Sequence, residues 1–250
     1  MRDAEKTDLL FKFEEQIEYK FQNISLLERA LTHRSWAHER IAPGREDSVK
    51  HLHNEALEFV GDSVLGLAVA ETLFSKFPNA TEGELTLMKH RLVSGVSLVQ
   101  AAEKLCLSDF LRIGRGEEKT GGRRKQAVLA DTMEAVIAAV FLDGGYTAGK
   151  DFVERILAED LQTITPATAI DYKTLLQERL QADKRSAPVY TVVRTEGPPH
   201  RRTFFVELRW DAGNVEGHGT TIKTAAMMAA KSALEILDKP AVEPETTIEI

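Results

Sequence analysis

Three carboxylates interrupt an otherwise apolar stretch at His53-Asn-Glu-Ala-Leu-Glu-Phe-Val-Gly-Asp-Ser-Val-Leu65. Glu55, Glu58 and Asp62 follow the spacing i, i+3, i+7, so on a helix turning roughly 100° per residue they share an arc of about 60°. Leu57, Phe59, Val60, Val64 and Leu65 cover the rest of that helix. No Lys or Arg lies between Glu55 and Leu65, so the stripe lacks the i, i+4 cations that relieve repulsion on an ordinary solvated face. A second acid pair, Asp131 and Glu134, stands at i, i+3 in the apolar run Leu129 to Phe141. Each set by itself also fits a plainer role, the first as a solvated helix face and the second as acids near a helix N-terminus. If the two helices converge, the carboxylates raise one another's pKa and stay partly protonated unless a divalent cation holds them ionised. All-oxygen coordination favours Mg²⁺, with Mn²⁺ as a substitute, over zinc. A cation so held polarises a phosphodiester, lowers the pKa of an attacking water and stabilises the leaving oxygen, which points to metal-assisted phosphoryl hydrolysis.

Between the acid sets runs Arg112-Ile-Gly-Arg115-Gly-Glu-Glu-Lys119-Thr-Gly-Gly-Arg123-Arg124-Lys125, six bases among four glycines. Glycine allows close backbone approach and the bases supply counter-charge, so this loop is expected either to face phosphates or to be a solvated loop.

Helical periodicity places these residues on an all-helical front domain, with apolar spacing over Glu14 to Arg34, His53 to Phe77 and Glu82 to Leu105. Thr81-x-x-Glu84 reads as a capping box after the Pro78-Asn79 turn. Further helices are expected from Val128 to Leu142, stopped by Asp143-Gly144-Gly145, and from Lys150 to Gln162. The segment Thr163 to Thr168 has no helical stripe and contains Pro166. We place the domains at 1–163 and 169–238, with a linker at 164–168 and a tail at 239–250. In the second domain a helix near Asp171 to Ala182 precedes strands at Val189 to Thr195, Arg202 to Trp210 and Asn214 to Thr220, and a helix runs to Leu237. The middle strand alternates Phe204, Val206, Leu208 and Trp210 with Phe205, Glu207 and Arg209, the pattern of a half-buried antiparallel strand.

The net charge of −7 argues at first against a polyanionic partner, but it is uneven: −6 over residues 1–168, +1 over 169–238 and −2 over 239–250. An acidic surface meets a nucleic acid only if cations neutralise some carboxylates and separate bases supply the contacts. The single cysteine, Cys106, excludes an intrachain disulfide or a cysteine-rich zinc site and fits a reducing cytoplasm. No signal peptide and no membrane-spanning helix is expected, since the longest weakly charged run ends at Glu71.

The segment 53–65 resembles the signature of the ribonuclease III family. Leu31-Thr-His-Arg-Ser-Trp36, Gly121-Gly-Arg, Leu129-Ala-Asp-Thr-Met-Glu134-Ala and Leu142-Asp-Gly-Gly145 follow in the family's order, and the C-terminal part resembles its double-stranded RNA-binding domain. The resemblance implies a fold of an all-helical endonuclease domain followed by an α-β-β-β-α domain. It implies that Glu58, Asp131 and Glu134 ligate Mg²⁺, that Asp62 acts through water on the ion, and that Glu55 stands behind the ligands. Asp62 and Glu134 are the positions usually called catalytic. Products with 5′-phosphate and 3′-hydroxyl ends, short 3′ overhangs and a homodimer with Phe59 at its contact are likewise implied, as are precursor ribosomal RNA and messenger RNA as substrates.

A duplex is read by shape, 2′-hydroxyls and phosphates. On the second domain, Thr174, Gln177 and Glu178 on the first helix, the loop Gly197-Pro198-Pro199-His200, and Lys223 with Lys231 are the expected contacts. Where such domains carry a Lys-Lys pair opening the last helix, this chain has Ile222-Lys223, and Ala226 replaces a commonly polar neighbour. Weaker RNA binding is expected, with Arg201, Arg202 or Lys184 compensating. Two rival functions, a non-catalytic double-stranded RNA-binding protein and a hydrolase of small phosphate esters, are opposed respectively by the complete acid set and by the duplex-sized second domain.

Overall fold

In a computed structural model that describes residues 2–41, 49–169, 172–198 and 201–237, the chain divides into two units, Met1–Ala169 and Ile170–Ile250. The first unit is helical: α1 (Arg2–Gln16), α2 (Ile24–Ala30), α3 (Arg34–His38), α4 (Glu55–Lys76), α5 (Glu82–Leu92), α6 (Gly95–Lys104), α7 (Arg115–Lys119), α8 (Gln126–Ile156), α9 (Ala158–Thr163) and α10 (Pro166–Ala169). Its core is built on α8, where Ala135 to Val140 are all fully buried, and on Leu65, Ala68 and Leu73 of the facing side of α4. None of the described helices is long and apolar enough to cross a membrane.

The periodic stretch Glu14 to Arg34 is broken into three helices, because a tertiary partner competes for its backbone. Asp143 accepts hydrogen bonds from the Tyr19 hydroxyl at 2.9 Å and from the amides of Gln22 at 2.9 Å and Asn23 at 2.8 Å. Glu18 takes a left-handed conformation, φ 50°, and Asn23 then caps α2 by accepting from Ser25 N at 3.2 Å. The stretch Glu82 to Leu105 is likewise divided, since Ser94 opens α6 by accepting from Ser97 N. The Thr81–Glu84 capping box forms as expected. The helix breaks at Asp143-Gly144-Gly145 as expected: Gly145 leaves helical geometry at φ 79° and ψ −176°, so the span of α8 to Ile156 is two helical segments that meet there. The expected helix Lys150 to Gln162 corresponds to the second segment of α8, after Gly145, together with α9.

Residues 164–168, read from sequence as a linker, belong to the helical unit. Ile164 is 3% exposed in its core, α10 packs on α5, and Arg91 donates to the Thr168 carbonyl.

The second unit has the order α11 (Tyr172–Ala182), β1 (Val189–Glu196), β2 (Thr203–Trp210), β3 (Gly213–Gly219) and α12 (Ile222–Leu237), with an antiparallel sheet ordered β1-β2-β3. Val206, Leu208 and Trp210 point inward as their alternation requires, against Leu176, Leu180 and the alanine face of α12 at Ala225, Ala229 and Ala233. That face lets the helix lie close on β3, where a Cβ at Gly217 would stand 2.1 Å from Ala229 N. The expected tail 239–250 lies outside the described residues.

Candidate active site

Two helices carry the acids. Glu55 to Asp62 open α4, and Asp131 and Glu134 lie in the first turns of α8. The helices meet with almost no gap, since a Cβ on Gly61 would fall 1.8 Å from the Glu134 carbonyl oxygen. This close approach brings Glu58, Asp131 and Glu134 together, all partly buried, with one carboxylate oxygen of each within 4.8 Å of the others.

The electrostatics follow from that crowding. Burial, then the charges of Asp62, Glu58 and Asp131, push Glu134 up to about 7. Burial followed by Asp131, Glu55 and Asp62 raises Glu58, and burial is also the leading cause that raises Asp131. His33, whose Nδ1 lies 2.8 Å from Ser35 Oγ, works against the rise at Asp131, while burial holds the imidazole itself below its ordinary value.

Asp62 is exposed and is not one of the three close-set carboxylates, although its charge acts on Glu134 and Glu58. Glu55 is also outside the cluster. It accepts from Arg34 at 3.1 Å, so the cation absent from its own helix comes from α3. Phe59 projects from the outer side of α4 and is 77% exposed; Leu67 and Phe74, within an arc of about 80° of it on the same helix, are 57% and 71% exposed.

A cleft of about 540 Å³ opens beside the cluster, lined by His33, Asn54, Glu58, Glu117, Lys125 and Asp131 among others. Sequence reading gave no role to His33, Asn54 or Glu117. His33 and Asn54 lie inside the quoted motifs, yet only the fold shows that they reach the same cleft.

Half of the basic loop's cations pair with carboxylates of the same unit. Arg112 pairs with Glu28, lies 3.7 Å from the Trp36 ring and bridges through its backbone to Leu31 and His33. Arg123 forks onto Glu118 at 2.7 Å, and Lys125 reaches Glu117 at 2.6 Å. Of the six bases, these three are engaged in holding the loop, and Lys125 together with Arg115, Lys119 and Arg124 remains exposed.

In the second unit Thr174, Gln177 and Glu178 lie exposed on α11 and Lys223 lies exposed in the first turn of α12. Lys231 is partly engaged, 4.0 Å from Glu235 and 5.8 Å from the Tyr172 ring. Gly197 adopts φ 89°, and Arg201 N donates to the Pro198 carbonyl at 2.9 Å; Pro199 and His200 lie outside the described residues. Ala226 requires a correction. It is 5% exposed and packed beside Val206, so a polar side chain there would be buried and no phosphate contact is lost at that position.

Comparison with known proteins places this geometry in a family. A Ribonuclease-III-like family model matches residues 23–161, and a double-stranded RNA binding motif matches residues 172–237. Ribonuclease 3 of Syntrophotalea carbinolica is 41% identical over 241 residues, spanning 96% of this chain and all of its own. That of Clostridium acetobutylicum is 43% identical over 236 residues, 94% of this chain and 99% of its own. Among solved structures, the ribonuclease III nuclease domain of Campylobacter jejuni, described for flexibility in a region involved in dimer formation, is 36% identical with a TM-score of 0.52, covering 59% of this chain and 95% of its own. The chain belongs to the ribonuclease III family and is an endoribonuclease that carries a double-stranded RNA-binding domain.

Proposed function

We propose that the chain hydrolyses phosphodiester bonds within double-stranded RNA at the cluster of Glu58, Asp131 and Glu134, using Mg²⁺ or, in its place, Mn²⁺. The observation that carries this reading is the cluster itself: three partly buried carboxylates on two locked helices, with no ion pair to Lys or Arg among the described residues. Such a group is costly without a cation, and its hard oxygen donors suit Mg²⁺. When bound, the ion would polarise the phosphodiester and favour departure of the 3′ oxygen. Glu58, Asp131 and Glu134 would hold it. Asp62, whose charge acts on Glu58 and Glu134, would act on the ion through water. Glu55, fixed by Arg34, keeps negative charge behind the ligands.

The second domain delivers the duplex. Gln177, with Thr174 and Glu178, meets ribose hydroxyls and base edges; Gly197, Pro198, Pro199 and His200 enter a minor groove; Lys223 faces phosphates. Two such chains form a homodimer through the exposed α4 face around Phe59, so that paired sites cut opposite strands and leave 5′-phosphate and 3′-hydroxyl ends with short 3′ overhangs. Precursor ribosomal RNA and messenger RNA in the cytoplasm are the proposed substrates.

The test incubates an end-labelled RNA duplex with intact protein and MgCl₂, with EDTA, and with Glu134→Ala. Cleavage is expected only in the first, with at least roughly 100-fold loss in the variant and retained duplex binding. Uncut duplex with wild-type protein in MgCl₂ would overturn the reading.

A further inference from the structure

Asn54 and Thr132 are buried polar side chains between the two acid-bearing helices, 3% and 0% exposed. Asn54 Nδ2 donates to Thr132 Oγ1 at 3.3 Å. The Thr132 hydroxyl commits its own hydrogen to the Val128 carbonyl at 2.7 Å, so toward Asn54 it can only accept, and the asparagine must present its amino group. Asn54 also opens α4. Its carbonyl accepts from the amides of Leu57 at 2.8 Å and Glu58 at 2.9 Å, and its own amide donates to the Thr32 carbonyl at 3.0 Å. Thr132 directly follows Asp131 and stands two residues before Glu134.

The Asn54–Thr132 bond therefore ties the turn that carries Glu58 to the turn that carries Asp131 and Glu134. The contact of Gly61 with the Glu134 carbonyl fixes how far apart the helices lie, and apolar packing of Leu57, Val64 and Leu65 against α8 holds them together without direction. The Asn54–Thr132 bond, about two turns from Gly61 along α4, is the directional tie at the end that carries Glu58. We infer that Asn54 is a positioning residue, which acts through Thr132 to set the rotation of α8 against α4 and so holds the three carboxylates at ion-binding spacing. The inference rests on the metal-centre reading above. A hydrogen bond behind the ligands of a metal site is of the kind whose loss costs roughly 10- to 100-fold in metal affinity.

The test uses the full chain and MgCl₂ as the probe, with Thr132→Val, which removes the acceptor, Thr132→Ser, which keeps it, and Asn54→Ala. Two quantities are read: the rise in unfolding midpoint on adding MgCl₂ without RNA, and the MgCl₂ concentration for half-maximal cleavage at saturating duplex. Thr132→Val and Asn54→Ala should each need roughly 10- to 100-fold more MgCl₂ in both assays. Thr132→Ser should stay near wild type, and duplex affinity in EDTA should be unchanged in all three. The double variant Asn54→Ala/Thr132→Val should be no worse than either single one, as for two ends of one bond. If Thr132→Val does not fold, Asn54→Ala decides alone. Variants that lose metal-free stability but keep the wild-type MgCl₂ dependence would overturn the inference and leave the bond a core support. Wild-type protein that neither cleaves nor gains stability with MgCl₂ would sink the metal-centre reading, and the inference with it.

Discussion

Replacing Glu134 by glutamine should stabilise the metal-free protein while abolishing cleavage, and the size of the gain can be worked out. Glu134 has a folded-state pKa of about 7 against an ordinary value of 4.5. A carboxyl whose pKa is raised on folding contributes stability that is fully present below the unfolded value and is lost as pH rises through the folded one. The full shift corresponds to at most about 3.4 kcal/mol lost by pH 8. Because the side chain is only partly buried, screening by solvent should leave about 1–2 kcal/mol. Glutamine cannot ionise, so the variant should escape this loss. For a helical unit of this size that is a rise in unfolding midpoint of roughly 2–8 °C in EDTA at pH 8, shrinking toward zero near pH 5, where wild-type Glu134 is protonated. Adding MgCl₂ should raise the wild-type midpoint far more than that of the variant. Differential scanning fluorimetry from pH 5 to 8.5, with EDTA or MgCl₂, gives the comparison. A difference independent of pH, or a variant less stable than wild type at pH 8 in EDTA, would refute the argument that burial and the neighbouring carboxylates disfavour the Glu134 charge in the metal-free state.

Three further outcomes are expected. Gly61→Ala must push α8 away from α4, so cleavage should fall on the order of 100-fold and stability by about 1–3 kcal/mol; a near-normal cleavage rate would mean that the helix spacing does not set the site. Lys223→Ala should weaken duplex binding and reduce the slope of log affinity against log salt by roughly one, and an unchanged slope would remove Lys223 from the phosphate contacts. Phe59→Ala should shift the protein toward monomer in sedimentation without changing its helical signal by circular dichroism, whereas an unchanged dimer would place the contact elsewhere.

Residues whose chemistry repeats along one helix were the most legible in the sequence. The stripe on α4 and the pair on α8 needed only a period to be seen, and the second unit's strands were found to within about a residue because their alternation is local. The features that were missed depend on contacts distant in sequence. Asp143 breaks the stretch after α1 from more than a hundred residues away. Arg34 supplies Glu55 with a cation from another helix. Arg112, Arg123 and Lys125 looked like spare charge for RNA because their partners, Glu28, Glu118 and Glu117, cannot be assigned before folding. Ala226 was read as a surface departure because helical position alone did not show which face of α12 meets the sheet.

The fully buried run from Ala135 to Val140 begins directly after Glu134. Amides in such a run should exchange with deuterium only through the largest opening of the helical unit, which would put the backbone beside the carboxylates among its slowest-exchanging parts. An active site on a loop can melt early and leave a folded but inactive protein. Here the ligands share the fate of the core, and thermal inactivation should coincide with global unfolding of the helical unit rather than precede it.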